Sequence, residues 1–193
     1  MKTNSKLKKF LKDYSYWIGL TLSLILLITV VTVAALNKPV APEEDNFTPV
    51  VNDEIKFANP VTEISLIKDF SNTALQYSNT LKLWQAHKAI DLSAAEGTDV
   101  LAVMDGTVTE VTYNYLMGNI VKLNVGNGLI VVYASLQSDI PVKVGDSVTK
   151  GSVIGKVGNT AKSESSDGPH LHLEVLLNDQ LVDPNLYLDL GEK

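Results

Sequence analysis

The chain has 193 residues, 45% of them hydrophobic, no cysteine, and sixteen basic residues that are all lysine, for a formal net charge of −6. Length and apolar content suit one well-buried domain with an appendage and argue against two full domains. Without cysteine there are no disulfides or thiolate zinc sites, so a metal must be held by His, Asp or Glu; without arginine, and with net negative charge, nucleic acid is not expected as a partner.

The charge is unevenly placed. Residues 1–38 carry a net of +5, which leaves −11 for the rest. Two stretches of opposite sign indicate two environments. From Tyr16 to Leu36 the sequence YWIGLTLSLILLITVVTVAAL has no charged side chain, and about 20 helical residues span a hydrocarbon core of roughly 30 Å. The predicted element is a transmembrane helix over 16–36, after a cytoplasmic tail at 1–15. Lysines precede it and Glu43, Glu44 and Asp45 follow it, which places the N-terminus inside and the remainder outside the cell membrane, as a single-pass anchor. Tyr14, Tyr16 and Trp17 fall where an interfacial aromatic belt belongs. A cleaved secretory signal has the same charge order, but its apolar region runs only about 7–15 residues.

Residues 37–56 contain three prolines and an excess of acid and read as an extended extracytoplasmic tether. The exported domain is expected over 57–193. Its early part is ambiguous: VTEISLIKDF fits a strand, and SNTALQYSN fits a short helix or a loop. From Asp99 onward, short β-branched and aliphatic runs alternate with turn signals: VLAVM then DG, TVTEV, IVKLNV then GNG, and LIVVYASL. The stretch VKVGDSVTKGSVIGKVGNT continues the pattern and LHLEVLLND supplies a last strand and hairpin. The domain is therefore expected to be all-β, built of consecutive antiparallel strands.

The three histidines fall in two short patterns. In PHLHLEV, His170, His172 and Glu174 share one parity and Leu171, Leu173 and Val175 the other, so on a strand both imidazoles emerge on a polar face while the leucines enter the core. The wet face of an ordinary strand gives the same pattern. In HKAID, His87 and Asp91 would lie roughly 13 Å apart on a straight strand, too far for ligands each about 2 Å from one ion. A shared metal thus requires a bend between them or a loop carrying His87 back towards Asp91; otherwise His87 is an exposed loop residue beside Trp84. Together the two patterns offer two imidazoles and a carboxylate with one imidazole to spare, the inventory of a zinc centre with three protein ligands and an open fourth position.

The succession HxxxD, GTDVLAVMDGTVTEV, GNGLIVVYASL, VKVGDSVTKGSVIGKVG, SDGPHLHLEV and VDPNLYL, over roughly residues 84–188, resembles the LytM-type domain of the M23 zinc endopeptidases. The resemblance implies an antiparallel β-sheet sandwich or half-barrel with a Zn2+ ion in a groove across the larger sheet. It implies His87, Asp91 and His172 as ligands, His170 as a catalytic residue, and peptidoglycan peptides as substrate. Active members of the family carry a further catalytic histidine in a Tyr-x-His-Leu segment; here the segment is Tyr133-Ala134-Ser135-Leu136, and Ser135 replaces the imidazole. A hydroxyl carries no transferable proton near neutral pH, so the expectation is a domain that binds zinc but hydrolyses poorly or not at all.

Tail, anchor, tether and a LytM-like domain with YASL also resemble the stage II sporulation protein Q group. That resemblance implies a scaffold at the forespore membrane that meets a protein partner anchored in an apposed membrane. Two other readings stand beside it. One is an active peptidoglycan metalloendopeptidase, in which Glu174 or another residue compensates for Ser135. The other is a lipoyl-like carrier or secretion adaptor, suggested by the hairpin-like pieces around MDG and KVGD, which leaves the histidines unexplained.

Overall fold

The computed structural model describes residues 9, 12–36, 55–62 and 65–190. The chain forms two compact units, Met1–Thr48 and Pro49–Lys193, each taken here by itself. Most of the expected tail, and the expected tether as far as residue 54, lie outside the described residues.

In the first unit, α1 is one continuous helix of 22 residues, Ser15–Leu36, with no acid in its first turn and no base in its last. Polar side chains inside it are satisfied locally: the Thr29 hydroxyl donates to the Leu26 carbonyl and the Thr32 hydroxyl to the Ile28 carbonyl, both at 2.8 Å. Such back-bonding lets threonine sit in an apolar helix without an unpaired hydroxyl. The side chains at 18, 19, 22, 30, 31 and 33–36 are outside the described set. Among the described residues, no helix is long and apolar enough to cross a membrane.

The second unit is predominantly antiparallel β-structure. Its strands are β1 (Ser65–Lys68), β2 (Ser71–Ser78), β3 (Leu83–His87), β4 (Ile90–Ser93), β5 (Asp99–Leu101), β6 (Gly106–Asn114), β7 (Gly118–Gly126), β8 (Leu129–Leu136), β9 (Ser147–Val148), β10 (Val153–Lys156), β11 (His170–Leu177) and β12 (Gln180–Val182). The main sheet runs in the order β1-β4-β11-β8-β7-β6-β9, with β12 also paired to β11.

Register explains what each face does. Ile90 lies opposite Leu173, Leu173 opposite Tyr133 and Tyr133 opposite Val121, so one row of apolar side chains crosses four strands. All four are fully buried. The neighbouring row is polar at one end: Lys68 lies opposite Asp91, Asp91 opposite His172 and His172 opposite Ala134. Because side chains alternate along a strand, adjacent rows face opposite sides of the sheet. The apolar row enters the main core, and the row through Asp91 and His172 builds the site.

A second small sheet, β5 with β10, covers the apolar face through Val100 and Ile154, both fully buried. The Tyr133 hydroxyl ties the layers together by accepting from the Val103 amide at 3.0 Å. The run from Val100 to Met104 thus contributes only two strand residues, Val100 and Leu101, and leaves the main sheet, where a succession of neighbouring strands was expected. At the domain's start, Phe57 stacks on Tyr187 with ring centroids 5.0 Å apart, closing the core at one end.

The stretch expected as a short helix or loop at SNTALQYSN is instead β2, paired with β3 in a hairpin. Its side chains are exposed on both faces over most of its length, so it has no apolar alternation for a sequence pattern to show. Cross-strand hydrogen bonding, not burial, makes it a strand.

Gly158 is where the layers come closest. Its amide donates to the Ser135 carbonyl at 2.9 Å and its carbonyl accepts from the His170 amide at 3.3 Å. A Cβ there would stand 2.7 Å from the Ser135 carbonyl oxygen and 2.8 Å from the Gln137 nitrogen, both backbone atoms that cannot swing aside. Gly158→Ala should therefore destabilise the domain by about 1–3 kcal/mol, read as a lower denaturant midpoint in equilibrium unfolding.

Candidate metal centre

Asp91 and His172 meet because β4 and β11 pair in register, which brings opposed Cα atoms to about 4.5–5.5 Å on a common face. The His172 Nδ1 lies 2.8 Å from Asp91 Oδ1. His87 reaches the same point by a bend. Its strand ends at His87, the chain turns at Ala89, and β4 begins at Ile90 in a different sheet. The separation of a straight strand is thereby removed, and His87 Nε2 lies 3.3 Å from Asp91 Oδ2. His87 is 6% exposed and is not the exposed loop residue of the alternative reading.

A fourth group joins them. Glu164, on the short 3-10 segment Lys162–Asp167, places Oε1 3.4 Å from His87 Nε2 and Oε2 3.0 Å from His172 Nδ1. His87, Asp91, Glu164 and His172 each offer a ligand atom, and those atoms all lie within 4.8 Å of one another. Ligand bonds of about 2.0–2.2 Å in a tetrahedron put neighbouring ligands roughly 3.3–3.6 Å apart. The donor set therefore fits a small divalent cation.

Charge and orphaned atoms support the same fit. Asp91, Glu164 and Asp167 bring three carboxylates against one ammonium: Lys68 Nζ lies 3.6 Å from Asp91 Oδ2, 3.3 Å from Glu164 Oε1 and 2.5 Å from Asp167 Oδ2. With neutral imidazoles this leaves two negative charges, the amount a divalent ion cancels, in surroundings where uncompensated charge is costly. The buried atoms His87 Nε2, Asp91 Oδ2 and His170 Nε2 have no hydrogen-bond partner, whereas the opposite ring nitrogens of both histidines do.

Those opposite nitrogens orient the rings. His87 Nδ1 donates to the Asp69 carbonyl at 3.2 Å, turning Nε2 to the centre. Asp69 is held in turn by Asn185, whose amide donates to its carboxylate at 2.8 Å, and Asn185 belongs to the VDPN segment that the sequence pattern singled out. Partners of this kind fix the tautomer and aim the ligand. His170 is fully buried beside the cluster, with Nδ1 donating to the Gly168 carbonyl at 2.7 Å and Nε2 3.5 Å from Glu164 Oε2. The histidine face of β11 is thus polar but largely dry. Beside it on the same sheet lies a groove lined by Met117, Ile120, Val132 and Glu174.

Ser135, where the family resemblance led us to expect a histidine, is fully buried with φ 61°. A left-handed conformation is uncommon for serine and is retained only where the surroundings impose it. Here they do: the Ser135 amide donates to the Met117 carbonyl at 2.9 Å and its carbonyl accepts from Gly158. Its hydroxyl has no hydrogen-bond partner.

Sequence reasoning missed Glu164 and Lys68. Glu164 is an acid in a polar segment, six residues before His170, with no periodicity to mark it. Lys68 sits past a bulge in β1 and becomes notable only once its register opposite Asp91 is known.

Without a metal, the cluster retains protons. Burial disfavours the imidazolium of His87, but the adjacent carboxylates of Asp91 and Glu164 outweigh it and raise the pKa from 6.5 to about 9. Burial likewise works against charge on Asp91 and Glu164, yet the histidines around them hold both carboxyls below their usual range.

Comparison with known proteins gives a family match and a set of relatives. Residues 85–184 match peptidase family M23. The chain is 34% identical over 145 residues to stage II sporulation protein Q of Bacillus subtilis (strain 168), covering 73% of this chain and 50% of that protein. It is 38% identical over 104 residues to the DD-carboxypeptidase/endopeptidase Mpg of Neisseria meningitidis, covering 54% of this chain and 23% of that one. The chain thus spans half or less of the length of these relatives. Among solved structures, the SpoIIQ-SpoIIIAH pore forming complex superposes with a TM-score of 0.61 at 30% identity, over 71% of this chain and 93% of the matched one.

The His87 shift gives a signed expectation. Its folded value exceeds the unfolded one, so in the metal-free chain its contribution to stability is fully present below about pH 6.5 and is lost as pH rises through about 9. A metal needs the neutral ring. Zinc uptake should therefore release protons and strengthen steadily from pH 6.5 to 9, as measured by competition with a chromophoric chelator.

Proposed function

The chain belongs to peptidase family M23, and on that premise we propose that it is a membrane-anchored, extracytoplasmic LytM-type domain. In this reading it holds zinc, hydrolyses peptidoglycan poorly or not at all, and acts as a scaffold at the cell envelope during sporulation. His87, Asp91 and His172 are its expected zinc ligands. Bound zinc would supply Lewis-acid polarisation of a carbonyl, the chemistry by which such ions assist hydrolysis.

The observation that carries the reading is Ser135. Its backbone is pinned in a left-handed conformation on both sides, as a functional position would be, yet the side chain is an unpartnered hydroxyl. A hydroxyl donates one hydrogen bond and neither takes up nor delivers a proton near neutral pH. Removing such a general acid or base costs about 10²–10⁴ in rate. The second reading, a working endopeptidase, is favoured by His170, whose Nε2 is unpartnered beside the cluster.

Similarity to stage II sporulation protein Q supports the scaffold role. That protein was solved in complex with SpoIIIAH, and an envelope protein of an apposed membrane is the corresponding partner proposed here; a peptidoglycan peptide is the alternative ligand. For the anchor, the support lies in the sequence: the run Tyr16–Leu36 carries no charged side chain, and about 20 such residues are what a hydrocarbon core of roughly 30 Å requires. The described leucines and isoleucines from Leu20 to Ile28 are exposed. An apolar helix with lysines before it and acids after it suits a span with the N-terminus in the cytoplasm and the β domain outside.

Two measurements on the purified full chain test this. Elemental analysis should find nearly stoichiometric zinc in the wild type and loss of it in Asp91→Ala and His172→Ala. Digestion of purified peptidoglycan should run at least about 10²-fold slower than with an active M23 endopeptidase. Absence of metal would overturn the first half of the reading, and turnover matching the active enzyme the second.

A further inference from the structure

The segment that carries Glu164 is built as a strap across the site. On one side, the Lys162 and Ser163 amides donate to the Tyr115 and Leu116 carbonyls at 3.3 and 3.1 Å, and the Ser163 hydroxyl donates to Leu116 at 2.7 Å. On the other, the Ser166 amide donates to the Thr80 hydroxyl at 3.0 Å, in the turn between β2 and β3. Over the centre itself, Lys68 holds both acids of the strap, Glu164 at 3.3 Å and Asp167 at 2.5 Å. Three elements far apart in sequence thus hold Glu164 down, and it is only 5% exposed.

The four-atom cluster gives this its chemical meaning. His87, Asp91 and His172 alone leave one side of a four-coordinate ion open. Glu164 fills that side, within 3.0–3.4 Å of the coordinating nitrogens of both histidines. The orphaned and deeply buried His87 Nε2 and Asp91 Oδ2 point to the same place. Zinc sites with four protein ligands are closed and structural, whereas catalytic ones keep a position for water or substrate.

Resting on the reading that the centre binds zinc, we propose that Glu164 is a fourth protein ligand, strapped in place by Lys68, and that it closes the ion off from substrate. The ion then serves to bind the strap, β3, β4 and β11 together, with β1 held to the strap by Lys68. Hydrolysis is blocked at the metal as well as at Ser135.

The test uses the purified full chain loaded with Co2+ as a spectroscopic stand-in for zinc, with azide as the probe of an open coordination position. The wild type should show a four-coordinate absorption spectrum that azide does not alter. Glu164→Ala should bind the ion at least about tenfold more weakly and give a spectrum that azide shifts. Glu164→Gln, which preserves the shape of the strap, should also weaken binding, and Lys68→Met should make the spectrum azide-sensitive while leaving every proposed ligand in place. A wild-type spectrum that azide shifts, together with unchanged affinity in Glu164→Ala, would overturn the fourth-ligand assignment and leave a three-ligand site standing. Failure of the wild type to take up Co2+ or zinc would overturn the metal reading itself.

Discussion

Asp91 is a fully buried carboxylate in the second strand of a sheet, and the rest of the site is organised around compensating it. A charge in that position is tolerated only when paired and hydrogen-bonded. The antiparallel registers of β1, β4 and β11 supply both sides, placing Lys68 on one flank and His172 on the other. The bend after His87 and the strap carrying Glu164 complete the ring. Those additions bring a further acid as well as imidazoles, and so create the demand for a divalent ion that Lys68 alone does not meet. Fold and metal affinity are two aspects of one electrostatic problem, because a structural ion stabilises only the state in which its ligands are assembled.

The same sheet places His170 and Ser135 beside the cluster. His170 remains buried beside the cluster with its ring oriented by Gly168. One strand away, Ser135 has a constrained left-handed backbone and a hydroxyl without a hydrogen-bond partner. Gly158 joins the two, contacting the Ser135 carbonyl with its amide and the His170 amide with its carbonyl. The backbone around positions 135 and 170 is thus held in one arrangement whatever side chain stands at 135. Coordination and proton transfer depend on different side chains, so the four-residue cluster does not depend on what stands at 135.

How much of this was legible in the sequence differs from element to element. Alternation in LHLEV marked β11, whose apolar parity enters a core, and the continuous aliphatic run LIVVYASL between turn signals marked β8, which is buried on both faces. The two patterns HxxxD and HxH offered two imidazoles and a carboxylate, the resemblance to M23 domains nominated His87, Asp91 and His172, which the structure brings together, and strand geometry alone required a bend or a returning loop between His87 and Asp91. The hairpin strand β2 was not legible, since both its faces are exposed and its sequence has no alternation. The departure of β5 from the main sheet was not legible either, because short apolar runs do not encode which neighbour they pair with.

By itself, the sequence determined the local quantities: the uncharged 21-residue run, the split in charge, the strand parity that puts two imidazoles on one face, and a serine at 135 in the segment YASL. These depend on neighbours along the chain. Only the tertiary structure decided that Glu164 and Lys68 belong to the centre. Each is brought there by contacts with residues far away in the chain, Lys68 by its register opposite Asp91 and Glu164 by a strap tied to Thr80, Tyr115 and Leu116. Coordination is a condition on distances in space, and a segment without periodicity carries no record of the distance it will span.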